Sequence, residues 1–192
     1  MSGEITEFTA EIPVWRPHVT PVSLEEASEA QREALKVTPS NTRVSDYVLV
    51  LAHDHESLGA RTPLFNAIMY DRGGLSRAER ELGALGASVV NRCIYCAAVH
   101  ASRFNQLTKE PEVTEAVFAD GEAAELDPRR AAILRFAVRL SRSPCAAGEE
   151  DVAALRAAGL TEAEILDLVL SAALFGWANR LMHTLGAPVA RG

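Results

Sequence analysis

The chain is 192 residues long, 48% hydrophobic and 23% charged, with a formal net charge of −7. That length suits one domain with a sizeable core, and the acidic balance gives no support to nucleic-acid binding or to anchoring on an anionic membrane. Three cysteines are too few for a disulfide framework, so a Cys-x-x-Cys spacing among them points to redox chemistry or metal binding in a reducing, cytoplasmic setting.

The first eleven residues are polar and acidic, without the basic and apolar regions of a signal peptide, and no apolar run reads as long enough to span a bilayer. Residues 1–22 carry Pro13, Pro17 and Pro21 around Trp15, which predicts an extended arm. Such an arm lies across a neighbouring subunit or packs on its own domain. Residues 23–192 read as a single helical domain. Ser23-Leu24-Glu25-Glu26 has the form of a capping box, predicting a helix that ends near Lys36, before Pro39. A second helix is expected from Val44 to the His53-Asp54-His55 segment, with Val44, Tyr47, Val48 and Leu51 on its apolar face. His53 and His55 are two residues apart and share no helical face, so they make a poor ligand pair. Pro63 is expected to open the next helix, through Leu64, Phe65, Ile68 and Met69, with Gly73 and Gly74 stopping it.

The stretch from Ser76 to Phe104 carries the chemistry. Ser76 and Glu79 form a Ser-x-x-Glu capping box, so a helix begins near Arg77 and turns Leu82, Leu85, Val89 and Val90 inward. Gly83 and Gly86 lie inside that helix at about 1 kcal/mol each in propensity, a cost that implies close approach of another segment. If Asn91 and Arg92 break the helix, Cys93 opens the next one and Cys93, Cys96 and His100 share a face at i, i+3 and i+7. The positive end of a helix favours thiolate over thiol. His100 is placed to take a proton from Cys96, and Glu81 to orient the imidazole or take the proton through water. Glu81 sits at the edge of the apolar stripe, where burial would raise its pKa; the plainer reading pairs it with Arg77 or Arg80.

Beyond the site, Pro111 to Phe118 reads as a short helix and Asp127-Pro128 as the start of another, carrying Ile133, Leu134, Phe136, Ala137 and Leu140. Ser143-Pro144-Cys145 ends it, leaving Cys145 a free thiol in a loop. A short helix from Glu149 to Ala158 stops at Gly159, and a long one begins at Thr161 and runs to Leu185, with Gly186 and Pro188 as its stop. Gly74-Leu75-Ser76-Arg77-Ala78-Glu79 and Gly159-Leu160-Thr161-Glu162-Ala163-Glu164 share one grammar, which reads as an internal helical repeat; only the first copy carries cysteines.

Glu81, Cys93, Cys96 and His100, as Glu-x11-Cys-x-x-Cys-x-x-x-His, resemble the active-site pattern of the AhpD-like alkylhydroperoxidase superfamily, which includes the carboxymuconolactone decarboxylases. The Cys-Ile-Tyr-Cys core and the ending from Phe175 to Gly186 look most like its peroxidase-related subgroup. The resemblance implies an all-α fold, homo-oligomers (trimers or hexamers), and reduction of organic hydroperoxides by the cysteine pair without metal or organic cofactor. It also implies that Cys96 reacts with the peroxide beside His100, while Cys93, the more exposed thiol, closes the disulfide and meets an external dithiol or protein reductant. The spacing alone leaves those two roles open. Three rivals remain: a metal site on Cys93, Cys96 and His100, a decarboxylase-like enzyme acting on a small lactone acid, and a redox-sensing or assembly protein.

Overall fold

Helices in this chain begin where a short polar side chain can cap them. In the computed structural model, which describes residues 3–36 and 44–191, Ser28, Ser76 and Thr161 each accept a hydrogen bond from the third helical N–H. Gln31, Glu79 and Glu164 reach back to complete three capping boxes. The α-helices and β-strands among the described residues are β1 (Val14–Pro17), α1 (Glu29–Ala34), α2 (Asp46–Leu51), α3 (His55–Tyr70), α4 (Arg77–Val90), α5 (Ile94–Thr108), α6 (Pro111–Asp120), α7 (Pro128–Ser141), α8 (Glu149–Ala157), α9 (Glu162–Leu185) and β2 (Gly186–Val189). The fold is all-α, with one small two-stranded sheet.

The core is built around α4, which packs against α5, α7 and α9. Leu82, Leu85, Phe104, Ile133, Leu134 and Leu168 are fully buried there, each worth about 2–3 kcal/mol of transfer free energy. The glycines of α4 let the neighbours in. A Cβ on Gly83 would lie 2.6 Å from Leu168 Cδ1, and one on Gly86 would lie 3.2 Å from both Ala137 Cβ and Leu134 Cδ1.

Several boundaries differ from the sequence expectation. Ser23 and Glu26 form a turn, with Glu26 N–H donating to Ser23 O at 3.2 Å, and the helix begins only at Glu29 because Ser28 and Gln31 make the competing box. Pro39 lies outside the described residues. Pro63 does not start α3 but sits inside it; Asp54 caps the helix earlier, accepting from Ser57 N–H at 3.0 Å. Gly186 and Pro188 stop α9 by turning into a strand. β2 pairs antiparallel with β1, Val14 opposite Val189 and Pro17 opposite Gly186, and Ile5 N–H donates to Pro188 O at 3.0 Å. The N-terminal arm therefore packs on its own chain, with Trp15 buried and its Nε1–H donating to Met182 O at 3.3 Å. By length and composition α9 is apolar enough to cross a membrane, contrary to the expectation, but 56% of that window is buried inside the fold, where it serves as a core helix.

Candidate active site

The junction between α4 and α5 fixes the first cysteine. Cys93 N–H donates to Ser88 O at 2.9 Å and Arg92 N–H to Val89 O at 3.0 Å, with Arg92 in the left-handed region at φ +53°. These are the paired bonds of a Schellman stop, made with arginine where glycine is usual. Cys93 is thereby the N-cap of α5, as the spacing predicts, and Cys96 lies one turn on.

The two thiols are free and both buried. The Cys96 S–H and backbone N–H both donate to Cys93 sulfur; the first of these bonds is the main reason the Cys93 thiol is held below its ordinary value, against the opposing effect of burial. The same bond, with burial and the Cys93 charge, pushes Cys96 well above its own. Of the two thiols, Cys93 is therefore the one that gives up its proton first. Neither thiol is the exposed one: Cys93 is 3% and Cys96 6% accessible, because both are packed into one apolar cluster with Trp15, Val50 and Met182. They differ in what they face. Cys93 lines a cavity of about 240 Å³ whose walls include Ile5, Trp15, Arg92, Ile94 and Met182, so the arm forms part of its roof.

Glu81 and His100 meet in the interior. His100 Nδ1 lies 2.6 Å from Glu81 Oε2, and Arg77 holds the other carboxylate oxygen, its Nε donating to Oε1 at 2.7 Å. Glu81 is 2% exposed, so the carboxylate is deep in the core rather than at its edge. Burial alone would raise its pKa as expected from sequence, but the hydrogen bond and charge of His100, joined by those of Arg77, outweigh it and hold the carboxyl below its ordinary value. An ionised Glu81 accepts the Nδ1 proton and leaves Nε2 of His100 as the basic nitrogen. That Nε2 is buried and has no hydrogen-bond partner among the described residues. The imidazole therefore makes no hydrogen bond to either thiol in this state, while its ring stands edge-on to Phe175 at 4.0 Å.

Arg80, the other partner expected for Glu81, is used elsewhere: it donates to Ile68 O, Asp71 O and Gly73 O and to Asp167 Oδ2 at 2.8 Å, clamping the turn before α4. Two contributors around the site have no signal in the spacing. Phe175 arrives from α9, and Tyr47 from α2 packs against the cysteine cluster. Among the described residues no three His, Cys, Asp or Glu side chains group as a metal site. Cys145 is exposed and apart from the pair.

Residues 56–139 match the carboxymuconolactone decarboxylase family, a span that holds Glu81, both cysteines of the pair and His100. A crystal structure of an uncharacterized peroxidase-related protein from Ralstonia eutropha JMP134, described as an alkylhydroperoxidase AhpD core, superposes with a TM-score of 0.76 at 29% identity, covering 90% of each chain. Both likenesses support placing the chain with the AhpD-like carboxymuconolactone decarboxylase superfamily. A second uncharacterized peroxidase-related protein, from Silicibacter sp. TM1040, superposes with a TM-score of 0.67 at 25% identity, over 85% of this chain and 93% of that one. The debrominase Bmp8 shares the fold of this chain, with a TM-score of 0.73 at 18% identity over 87% of this chain and 89% of that one. No curated protein sequence matches the chain significantly.

Proposed function

We propose that the chain is a thiol-dependent peroxidase that reduces organic hydroperoxides through a Cys93/Cys96 dithiol–disulfide cycle. The observation that carries this reading is the placement of a free dithiol at a helix N-terminus, on the helix that also brings His100 to the buried carboxylate of Glu81. The peroxidase-related relatives support it.

In this reading the proton of the Cys96 thiol crosses to Cys93, or passes to His100 Nε2, and the charge moves to Cys96. Cys96 thiolate attacks the distal oxygen of the hydroperoxide; the O–O bond breaks, Cys96 becomes a sulfenic acid and an alkoxide leaves to be protonated to the alcohol. Cys93 sulfur then attacks the sulfenic sulfur and water departs, leaving the disulfide. Cys93 faces the cavity, so an external dithiol or protein reductant reaches the disulfide there and resets it in a reducing compartment such as the cytoplasm. Glu81 holds the tautomer that leaves Nε2 basic and stabilises the imidazolium. Copies of the chain associate into trimers or hexamers through the outward stripe of α9, where Leu166, Leu170 and Trp177 are 57%, 39% and 45% exposed.

The test is to trap the intermediate. With Cys93→Ser, stoichiometric cumene hydroperoxide leaves a sulfenic acid on Cys96 that dimedone labels; with Cys96→Ser, labelling is slow and turnover is lost. Rapid labelling of Cys93 in Cys96→Ser would reverse the two roles. Full turnover in either variant would remove the dithiol cycle altogether and favour a decarboxylase-like or sensing role.

A further inference from the structure

Tyr47 reaches the cysteine pair from α2, outside the segment that carries the four motif residues. Its ring packs against the cluster formed by Trp15, Val50, Cys93, Cys96 and Met182, edge-on to Trp15 at 5.7 Å. Its hydroxyl is buried and has no hydrogen-bond partner among the described residues. A buried hydroxyl left unmatched costs about 1–3 kcal/mol, so a phenylalanine would serve the packing better. A polar atom kept at such a cost beside reactive groups is a sign of function.

Its neighbours tell what the hydroxyl is suited to do. Burial pushes the phenol well above its ordinary value, while the charge of Arg61 pulls it back and the two cysteines push it further up. Tyr47 is therefore a neutral donor at any physiological pH, with a cation beside it to receive the charge if the proton leaves. Arg61 is itself half-enclosed, its guanidinium 4.4 Å from the Phe65 ring, and its Nε is buried without a hydrogen-bond partner among the described residues. Phe65 stacks edge-on to Phe175, which in turn stands edge-on to His100. Tyr47 thus packs on the thiols while Phe65 and Phe175 link Arg61 to His100, and each of the three presents a buried polar atom with no hydrogen-bond partner among the described residues.

We propose that Tyr47 is a further catalytic residue of this site, its hydroxyl giving a proton to the oxygen that leaves when a thiolate of the pair attacks the hydroperoxide. This rests on the peroxidase reading above. The thiolate-to-oxygen bond forms as the O–O bond breaks; the leaving alkoxide takes the phenol proton and becomes the alcohol. The tyrosinate, held by the charge of Arg61, recovers a proton through solvent from the imidazolium that His100 became on accepting the thiol proton. His100 and Tyr47 end the step in their starting forms, the sulfur is oxidised by two electrons and the peroxide is reduced by two.

The experiment compares wild type and Tyr47→Phe with two oxidants that differ in leaving group. tert-Butyl hydroperoxide expels a strongly basic alkoxide that needs a proton, whereas peracetic acid expels acetate, which needs none. Disulfide formation is followed by stopped-flow fluorescence of Trp15, which packs on the pair, and confirmed by mass spectrometry. Tyr47→Phe is expected to oxidise about 100-fold more slowly with tert-butyl hydroperoxide and within twofold of wild type with peracetic acid, and to melt at or above the wild-type temperature because the unmatched hydroxyl is gone. Equal slowing with both oxidants, or no slowing with either, overturns the role of Tyr47 and leaves the peroxidase reading standing. A wild-type protein that reacts with neither oxidant faster than free cysteine overturns both.

Discussion

Glu81 is the residue on which the site's charge balance turns. Its carboxylate is buried, bound to His100 on one oxygen and to Arg77 on the other, so changing it removes a charge two partners depend on. Glu81→Gln keeps the shape but cannot favour the tautomer with Nε2 basic; we expect disulfide formation with a hydroperoxide to slow by about 100-fold, with stability lower by about 1–3 kcal/mol in urea titrations. The pH dependence follows from the direction of its shift. A carboxyl held below its ordinary value near 4.5 binds its proton more weakly folded than unfolded, so its contribution to stability is complete above that value. It is lost as pH falls below about 4.5 through the lower folded value. Acid unfolding monitored from pH 6 to 3 should therefore show a shallower loss for Glu81→Gln than for wild type, and parallel curves would contradict the assignment. The motif residues were legible in the sequence because i, i+3 and i+7 spacing is local. The sign of the Glu81 shift was not, because it depends on how a second helix brings His100 to it.

At the scale of elements, the junction of α4 and α5 and the glycines of α4 decide where the motif residues stand. The break at Asn91 and Arg92 and the capping boxes at Ser76 and Thr161 were readable because each is a bargain among four to six neighbouring residues. Arg129 joins the two repeated starts across space: it binds Glu79 Oε1 at 2.5 Å and Glu164 Oε1 at 2.6 Å, both members of those boxes. The glycine reading is testable by a pair of substitutions with opposite signs. Gly83→Val would drive its side chain into Leu168 and Ser171, lowering stability by about 1–3 kcal/mol. Gly59→Ala in α3 meets nothing within 4 Å and should raise stability by about 1 kcal/mol through helix propensity alone. Thermal melts read both, and a neutral Gly83→Val would show that close approach of α9 is not what the glycine serves. The start of α3 escaped sequence reading because Pro63 looks like a first-turn residue, yet the Asp54 cap and the buried Leu58 extend the helix before it.

Over the whole molecule, the N-terminal arm closes the site that the helices build. Pairing of β1 with β2 joins residues some 170 positions apart, a contact no local pattern announces, and so the arm was legible as extended but its partner was not. Trp15 seats against Gly186, where a Cβ would come within 2.3 Å of the indole and 2.7 Å of Arg16 O. Trp15→Ala should cost about 3–5 kcal/mol and unroof the cavity, so that iodoacetamide alkylates Cys93 faster than in wild type under native conditions; an unchanged alkylation rate would mean that the arm does not control access. Tyr47 and Phe175 complete the site from α2 and α9, again through packing that spans the chain. The central claim is that the carboxylate–imidazole couple and the dithiol work as one unit on peroxides. The measurement that tests it most directly is the rate at which Cys93 and Cys96 form a disulfide on mixing with stoichiometric cumene hydroperoxide. We expect a rate at least about 100-fold above free cysteine, falling by a similar factor in His100→Ala; oxidation no faster than a free thiol, or unaffected by that substitution, would contradict the account.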